Sequence, residues 1–235
     1  MLCVTFSRSA LPVNMLRQPL TLRINKSLRD NKRMRDATNP RQNLTLAVTG
    51  ASGAVYARAM LQLLAADDRV ETVNLIVSDS GMRVMAEELG CAGRSTLLDA
   101  LLDQPSNKVH LLGNGDIGAG IASGSYPSGG MIVLPCSMGT LASIAHGLAS
   151  KLIERAADVC LKERRPLLLC VRETPFNLIH LRNMAYAVEA GATIYPAMPV
   201  LYTRPQNTHE MATQFCQRVL AHIGLQQDEA YVWKG

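Results

Sequence analysis

The stretch Leu44-Thr-Leu-Ala-Val-Thr-Gly-Ala-Ser-Gly-Ala-Val-Tyr56 constrains the fold of this chain more than any other. A short apolar run rich in β-formers stops at Gly50, and a helical pattern starts just past Gly53. A strand, a tight Gly turn and a helix N-terminus therefore follow one another within thirteen residues. Backbone N–H groups converge at such a turn, and the helix dipole makes that point attractive to an anion. The expectation is a phosphorylated ligand bound there.

The rest of the chain repeats this alternation. Strands are expected at 44–49, 70–77, 108–112, 130–135, 166–171 and 192–195. Helices are expected near 53–66, 79–89, 95–103, 138–147, 151–163, 177–190 and 207–222. Met131-Ile-Val-Leu134 and Leu167-Leu-Leu-Cys-Val171 are continuously apolar, as suits strands covered on both faces of a parallel sheet. Strands alternating with helices in this way predict an α/β fold. The form expected is a single doubly wound (Rossmann-like, flavodoxin-like) parallel sheet with helices on both faces, spanning 43–224. Aromatics make up only 4% of residues, so the core must be aliphatic.

The net charge of +5 is unevenly placed. Residues 1–43 carry nine Lys/Arg and two Asp, and the remaining 192 residues carry 15 Lys/Arg and 17 Asp/Glu. The folded part is thus mildly acidic, which argues against a nucleic-acid partner. Residues 1–42 read as a basic, disordered extension: residues added by an upstream start codon or by cloning, an Arg-rich transit peptide, or a basic arm. The location expected is cytoplasmic, or mitochondrial if that extension is a transit peptide. Residues 225–235 read as a C-terminal tail over a neighbouring site. No run of 18 apolar residues occurs, so no membrane partner is expected. The six cysteines are scattered without C-x-x-C, and the five histidines lack ligand spacing. A disulfide framework and a metal site are both unexpected.

In doubly wound folds, ligands sit at the carboxyl ends of the strands. That rule selects Gly50-Ala-Ser-Gly53, Ser78, Pro135-Cys-Ser-Met-Gly-Thr140 and Arg172-Glu173-Thr-Pro175, with the loop Ala122-Ser-Gly-Ser-Tyr126 ahead of the fourth strand. Ser52, Ser78, Ser137 or Thr140 alone reads equally as a turn or capping residue. Together on one edge, and with the planar fork of Arg172, they favour a phosphate-bearing ligand. The G-x-G-x-x-G fingerprint of dinucleotide sites fails, because Gly50 and Gly53 are three apart and Val55 follows Ala54. Ser78 stands where an acidic residue would close the second strand. A mononucleotide such as FMN therefore fits better than NAD. Arg155 and Lys162 lie two turns apart on one helix face and can both reach an anion; Glu163, Arg164 and Arg165 read as a solvated helix end.

Seven motifs now stand out: T-G-A-S-G-A (49–54), A-S-G-S (122–125), P-C-S-x-G-T (135–140), E-R-A-A-D-V-x-L-K-E-R-R-P-L (154–167), R-E-T-P (172–175), I-H-L-x-N-M (179–184) and Y-x-R-P (202–205). With them, residues 44–233 resemble the UbiX/Pad-type flavin prenyltransferases, within a wider superfamily of flavin-binding cysteine decarboxylases. The resemblance implies transfer of a dimethylallyl group from dimethylallyl monophosphate to reduced FMN, at N5 and C6, without metal. The prenylated FMN then serves a UbiD-type decarboxylase. It implies a homo-oligomer, typically a dodecamer, with sites between subunits. It places FMN against Gly50, Ala51, Ser52, Ser78, Ser137, Met138, Gly139, Thr140 and Arg172. It places the prenyl phosphate against Lys162, Glu173, Tyr202 and Arg218, with Ser123 and Ser125 nearby and Arg155 and Glu88 in support. Ser52, Lys162 and Glu173 are the implied catalytic groups.

Asp79, Ile117 and Val232 depart from the family pattern, where Lys, an aromatic and Arg are common. The alternative is direct FMN-dependent decarboxylation, as in other members of the superfamily, but Val55-Tyr56 replaces the His those members carry after the Gly loop. Removing residues 1–42 is expected to leave activity intact in a turnover assay; a dead truncation would put the extension inside the fold.

Overall fold

The computed structural model describes residues 41–232. The expected basic extension, up to residue 40, lies outside them, as does Trp233. Six strands form one sheet: β1 (Gln42–Val48), β2 (Val70–Val77), β3 (Val109–Leu112), β4 (Gly130–Cys136), β5 (Leu167–Val171) and β6 (Thr193–Ile194). Their order is β3-β2-β1-β4-β5-β6, and every pairing is parallel. This is the doubly wound order whose direction of winding reverses between β1 and β4. Seven α-helices accompany the strands among the described residues: α1 (Ala54–Ala66), α2 (Asp79–Leu89), α3 (Leu97–Leu101), α4 (Met138–Ala145), α5 (Leu152–Lys162), α6 (Leu178–Glu189) and α7 (Thr208–His222).

Each expected element is present, with shifted ends. β1 opens at Gln42, whose N–H donates to Arg69 O (2.8 Å). The helix expected over 95–103 divides into a 3₁₀ turn at Arg94–Thr96 and the short α3. Among the described residues, no helix is long and apolar enough to cross a membrane.

The strands bury both faces, as their unbroken apolar runs require. Leu44, Leu46 and Val48 of β1 face one layer with α1, α2, α3 and α7, where Met60, Leu64, Met85, Leu97 and Phe215 pack. Ala47, Met131, Val133, Leu167 and Leu169 face the other layer, with α4, α5 and α6. Cys160 and Cys170 are buried core residues, as expected of small apolar side chains. Phe215 meets Tyr56 and Tyr195 edge to face, at centroid distances of 5.0 and 5.6 Å, so the few aromatics are pooled in one place.

The two middle strands are joined at their ends by Thr49, which is 1% exposed. Its hydroxyl donates to Pro135 O (2.9 Å) and accepts from Ser137 N–H (2.8 Å), while its own N–H also reaches Pro135 O (3.2 Å). Thr49→Val keeps the shape but leaves the Ser137 N–H without its acceptor, and a lost buried partner costs about 1–3 kcal/mol. Thr49→Ser retains the acceptor. Chemical denaturation is therefore expected to rank wild type, Ser and Val in descending stability; a Val variant as stable as wild type would contradict the assigned bond.

Candidate functional site

At the β1/β4 reversal, the loops after β1, β2, β4 and β5 meet. Ser78 N–H donates to Val48 O (3.0 Å), and Arg172 N–H donates to Cys136 O (3.2 Å), so neighbouring loops are tied edge to edge. Ser78 caps α2 by accepting from Gly81 N–H (3.0 Å), and its hydroxyl lies 3.1 Å from that of Ser80. Ser137 caps α4 by accepting from Thr140 N–H (3.4 Å) and donates to the Thr140 hydroxyl (3.2 Å). A Cβ on Gly50 would fall 2.5 Å from Ser80 Cβ, so glycine is what lets the first turn of α2 approach the loop. A Cβ on Gly139 would meet nothing within 4 Å, so the start of α4 faces open space. Ser52, Gly139, Arg172 and Glu173 are exposed on this edge; Ala51 and Met138 form its apolar floor.

The expected anion position at α1 is already filled. Glu88 of α2 accepts from Gly53 N–H at 3.1 and 3.0 Å through its two oxygens, and from Ala54 N–H at 2.7 Å. Partial burial pushes the Glu88 carboxyl up. Hydrogen bonds from the Ser52 hydroxyl and from the Ala54 and Gly53 backbone, with the charge of Arg172, outweigh burial and hold it below the ordinary carboxylate range. The protein's own carboxylate thus takes the donors that the sequence assigns to a ligand phosphate, and it orients Ser52 as it does so. The helix starts left to a ligand phosphate are those of α2 and α4, each opened by a serine. Hydroxyls at Ser78, Ser137 and Thr140, side-chain-free backbone at Gly50 and Gly139, and the Arg172 fork together suit an FMN.

Of the proposed donor residues, Glu173 stands at this edge, and Lys162, Ser123 and Ser125 do not. β5 carries Arg172 and Glu173 just past its C-terminal end, whereas Lys162 closes α5 ahead of its N-terminal end. Five strand residues at about 3.3 Å each separate the two by roughly 16 Å. Ser123 and Ser125 share the Lys162 edge, with their hydroxyls 2.9 Å apart. The loop they stand on is held by guanidinium groups: Arg155 Nε donates to Ala122 O (3.1 Å), and Arg165 Nη2 donates to Gly124 O (2.7 Å). Arg155 also pairs with Asp158 (2.7 Å), and Lys162 pairs with Glu163. Arg165 and Glu163 are therefore engaged in this edge, not merely solvated as the helix pattern suggests.

Tyr202 and Arg218 form a third group. Arg218 lines a cleft of about 300 Å³ with Ile194, Tyr195, Pro196, Met198, Val200 and Phe215. Burial pushes the Tyr195 phenol up, and the charge of Arg218 works against that shift. Gln214, one turn before Arg218, accepts from the Thr203 hydroxyl at 2.5 Å, which brings residue 202 beside this helix face. The Tyr202 ring meets that of Tyr231 at 5.3 Å. Among the described residues, no cluster of three or more His, Cys, Asp or Glu is placed to hold a metal ion.

Sequence reasoning gave Glu88 a supporting role only. Its signal is the spacing Ser80, Val84, Glu88, which puts all three on one face of α2. It also missed Arg94, which donates to Val77 O (3.0 Å) and pairs with Asp79 (3.3 Å) beside Ser78. A cation therefore accompanies the acid that departs from the family pattern there.

A Flavoprotein family profile matches residues 32–214. The flavin prenyltransferase UbiX of Salmonella typhimurium is 43% identical over 196 residues, covering 83% of this chain and 99% of the relative. The chain belongs to the flavin prenyltransferase family. Two solved structures are similar to this family member. AnUbiX (PadA1), in complex with FMN and dimethylallyl pyrophosphate, matches at 36% identity and a TM-score of 0.74, over 83% of this chain and 98% of that one. The dodecameric FMN-dependent UbiX-like decarboxylase of Escherichia coli O157:H7 matches at 36% identity and a TM-score of 0.73, over 82% and 100%.

Glu88→Ala removes the N-terminal partner of α1, a loss of about 1 kcal/mol once exposure is allowed for. Because the folded pKa is depressed, this contribution is present above the ordinary Glu range and lost as pH falls through the folded value. Urea unfolding is expected to show a stability gap between wild type and variant at pH 7 that closes below about pH 4. A gap independent of pH would contradict the charged-cap assignment.

Proposed function

We propose that this protein transfers a dimethylallyl group from dimethylallyl monophosphate to reduced FMN, with bonds at N5 and C6, and that the prenylated FMN is used by a UbiD-type decarboxylase. The observation that carries the proposal is that the chain holds two built clusters, a flavin-sized edge at β1/β4 and a separate Lys162–Ser123–Ser125 cluster suited to a second phosphate. A module that only stored flavin would need the first alone.

Reduced FMN supplies the nucleophilic N5 and C6 atoms. Ser78, Ser137, Thr140 and Arg172 would hold its phosphate and polar atoms, and the Ser52 hydroxyl, oriented by Glu88, would hydrogen-bond the reacting part of the ring. Breaking the allylic C–O bond leaves its electron pair on phosphate. Lys162, Arg218 and the Tyr202 hydroxyl stabilise that anion, and so supply the charge that a metal ion supplies in ordinary prenyl transfer. Ser123 and Ser125 donate hydrogen bonds to the same group. Closing the second bond consumes the double bond of the transferred group, so that group gains a proton as C6 loses one, and Glu173, exposed beside Arg172, moves that proton.

One subunit does not bring these clusters together, so the site is completed by neighbouring copies in a homo-oligomer. Support comes from the apolar surface of the α6 region: Leu178, Ile179, Leu181 and Val188 are 50–66% exposed, far more than a face left in water would favour. The dodecameric state of the similar Escherichia coli O157:H7 structure supports a dodecamer. Direct decarboxylation remains the alternative reading, since that same structure is described as a decarboxylase. Val55 and Tyr56, with Tyr56 buried against Phe215, supply no base after the Gly loop.

Anaerobic mixing with reduced FMN and dimethylallyl monophosphate is expected to yield, by mass spectrometry, a flavin heavier by one prenyl group. Unmodified FMN alone, with an active relative as control, would overturn the proposal. Glu173→Gln is expected to slow turnover at least about a hundredfold while FMN affinity changes little. Equal losses would make Glu173 structural.

A further inference from the structure

Lys162 is not waiting empty for a phosphate. Its ammonium donates to the carboxylate of Glu163, the residue that ends α5. The pair lies directly over Gly124, between Ser123 and Ser125. A Cβ on Gly124 would fall 2.6 Å from Lys162 Nζ and closer still to Glu163 Oε1, so the ends of both side chains lie against the Gly124 backbone. The floor beneath is fixed, because Arg155 and Arg165 hold the carbonyls of Ala122 and Gly124. The Glu163 carboxylate thus sits against Gly124 and the Lys162 ammonium, on the loop that carries Ser123 and Ser125, with Arg165 holding that loop. Hydrogen bonding from Lys162 and the charges of Lys162 and Arg165 hold its pKa below the ordinary range.

Both side chains of the pair are partly exposed, at 45% and 37%. Exposed pairs of this kind are weak and readily exchanged. A phosphate dianion outcompetes one carboxylate for Lys162, but it must first displace Glu163 and then bear its repulsion. The dimethylallyl ester brings apolar burial to that contest, and inorganic phosphate does not.

We propose that Glu163 is a built-in competing anion for Lys162, which disfavours free phosphate in the donor site and helps expel the phosphate left when the C–O bond breaks. It acts through Lys162 and is a positioning residue. The inference rests on the reading of Lys162 as a donor-phosphate ligand.

The test is steady-state kinetics on the full-chain oligomer, with dimethylallyl monophosphate varied and inorganic phosphate as inhibitor. Glu163→Gln is expected to lower both the phosphate Ki and the donor KM by about fourfold or more, the effect of removing one like charge some 5 Å away in a watery site. Lys162→Met is expected to raise both. If Glu163→Gln leaves Ki unchanged or raises it while Lys162→Met raises both constants, Glu163 only steadies Lys162 and the inference is overturned. If Lys162→Met moves neither constant, the reading of Lys162 itself fails. Should the Gln variant not assemble, Glu163→Ser must shift Ki in the same downward direction, and an unchanged or raised Ki there overturns the inference equally.

Discussion

The bond network of Thr49 fixes the point on which the rest of the flavin edge depends. β1 and β4 are neighbours in the sheet but far apart in sequence, and the chain winds away from them in opposite directions. Through one hydroxyl, Thr49 ties the end of β1 to Pro135 and to the Ser137 N–H. That bond sets the entry of α4 relative to the Gly loop. Ser137 and Thr140 on one side, and Gly50 and Ser52 on the other, then face a common space. Glu88 secures the second wall from α2 by gripping the start of α1. Charge and geometry agree here: a carboxylate on helix donors is favourable, and the start of α4 at Gly139 is left open.

The sheet also divides the chemistry. Parallel strands put everything that follows a strand on one edge and everything that precedes one on the other. Arg172 and Glu173 follow β5, and Lys162 precedes it. Ser123 and Ser125 precede β4, and Ser137 follows it. The Arg172–Glu173 edge and the Lys162–Ser123–Ser125 edge of one chain are thus opposed by topology, and no side-chain motion spans the strand between them. Assembly is the physical way to join them, and the exposed apolar residues of α6 supply surface for it.

The fold was legible because its signals are local. Strands covered on both faces read as unbroken apolar runs, and Ser78 and Ser137 announce α2 and α4 as side-chain caps. The flavin edge was legible for the same reason, since strand ends can be placed once strands are. What stayed hidden depends on contacts across the fold. Glu88 reaches a helix start 34 residues earlier in the chain, and Arg165 reaches a carbonyl 41 residues earlier. Helix spacing shows which face of α2 Glu88 shares, but neither partner is legible from it. Spacing also could not show that the first donors of α1 hold Glu88, because helix donors attract any anion, the protein's own included. The motif resemblance groups Lys162 with Glu173, but only the strand directions reveal that they stand at opposite ends of β5 in one copy.

The claim that the donor and flavin edges meet between copies is tested most directly by subunit complementation. Lys162→Met and Glu173→Gln each impair a different edge, and at donor concentrations well below the raised KM each homo-oligomer is expected to turn over far more slowly than wild type. Oligomers assembled from an equal mixture of the two variants contain interfaces where an intact Lys162 faces an intact Glu173. Prenylated flavin formation well above either parent, appearing only after the subunits have exchanged, is the result this account predicts. A mixture no more active than its parents, with mixed oligomers demonstrated by mass, would contradict it.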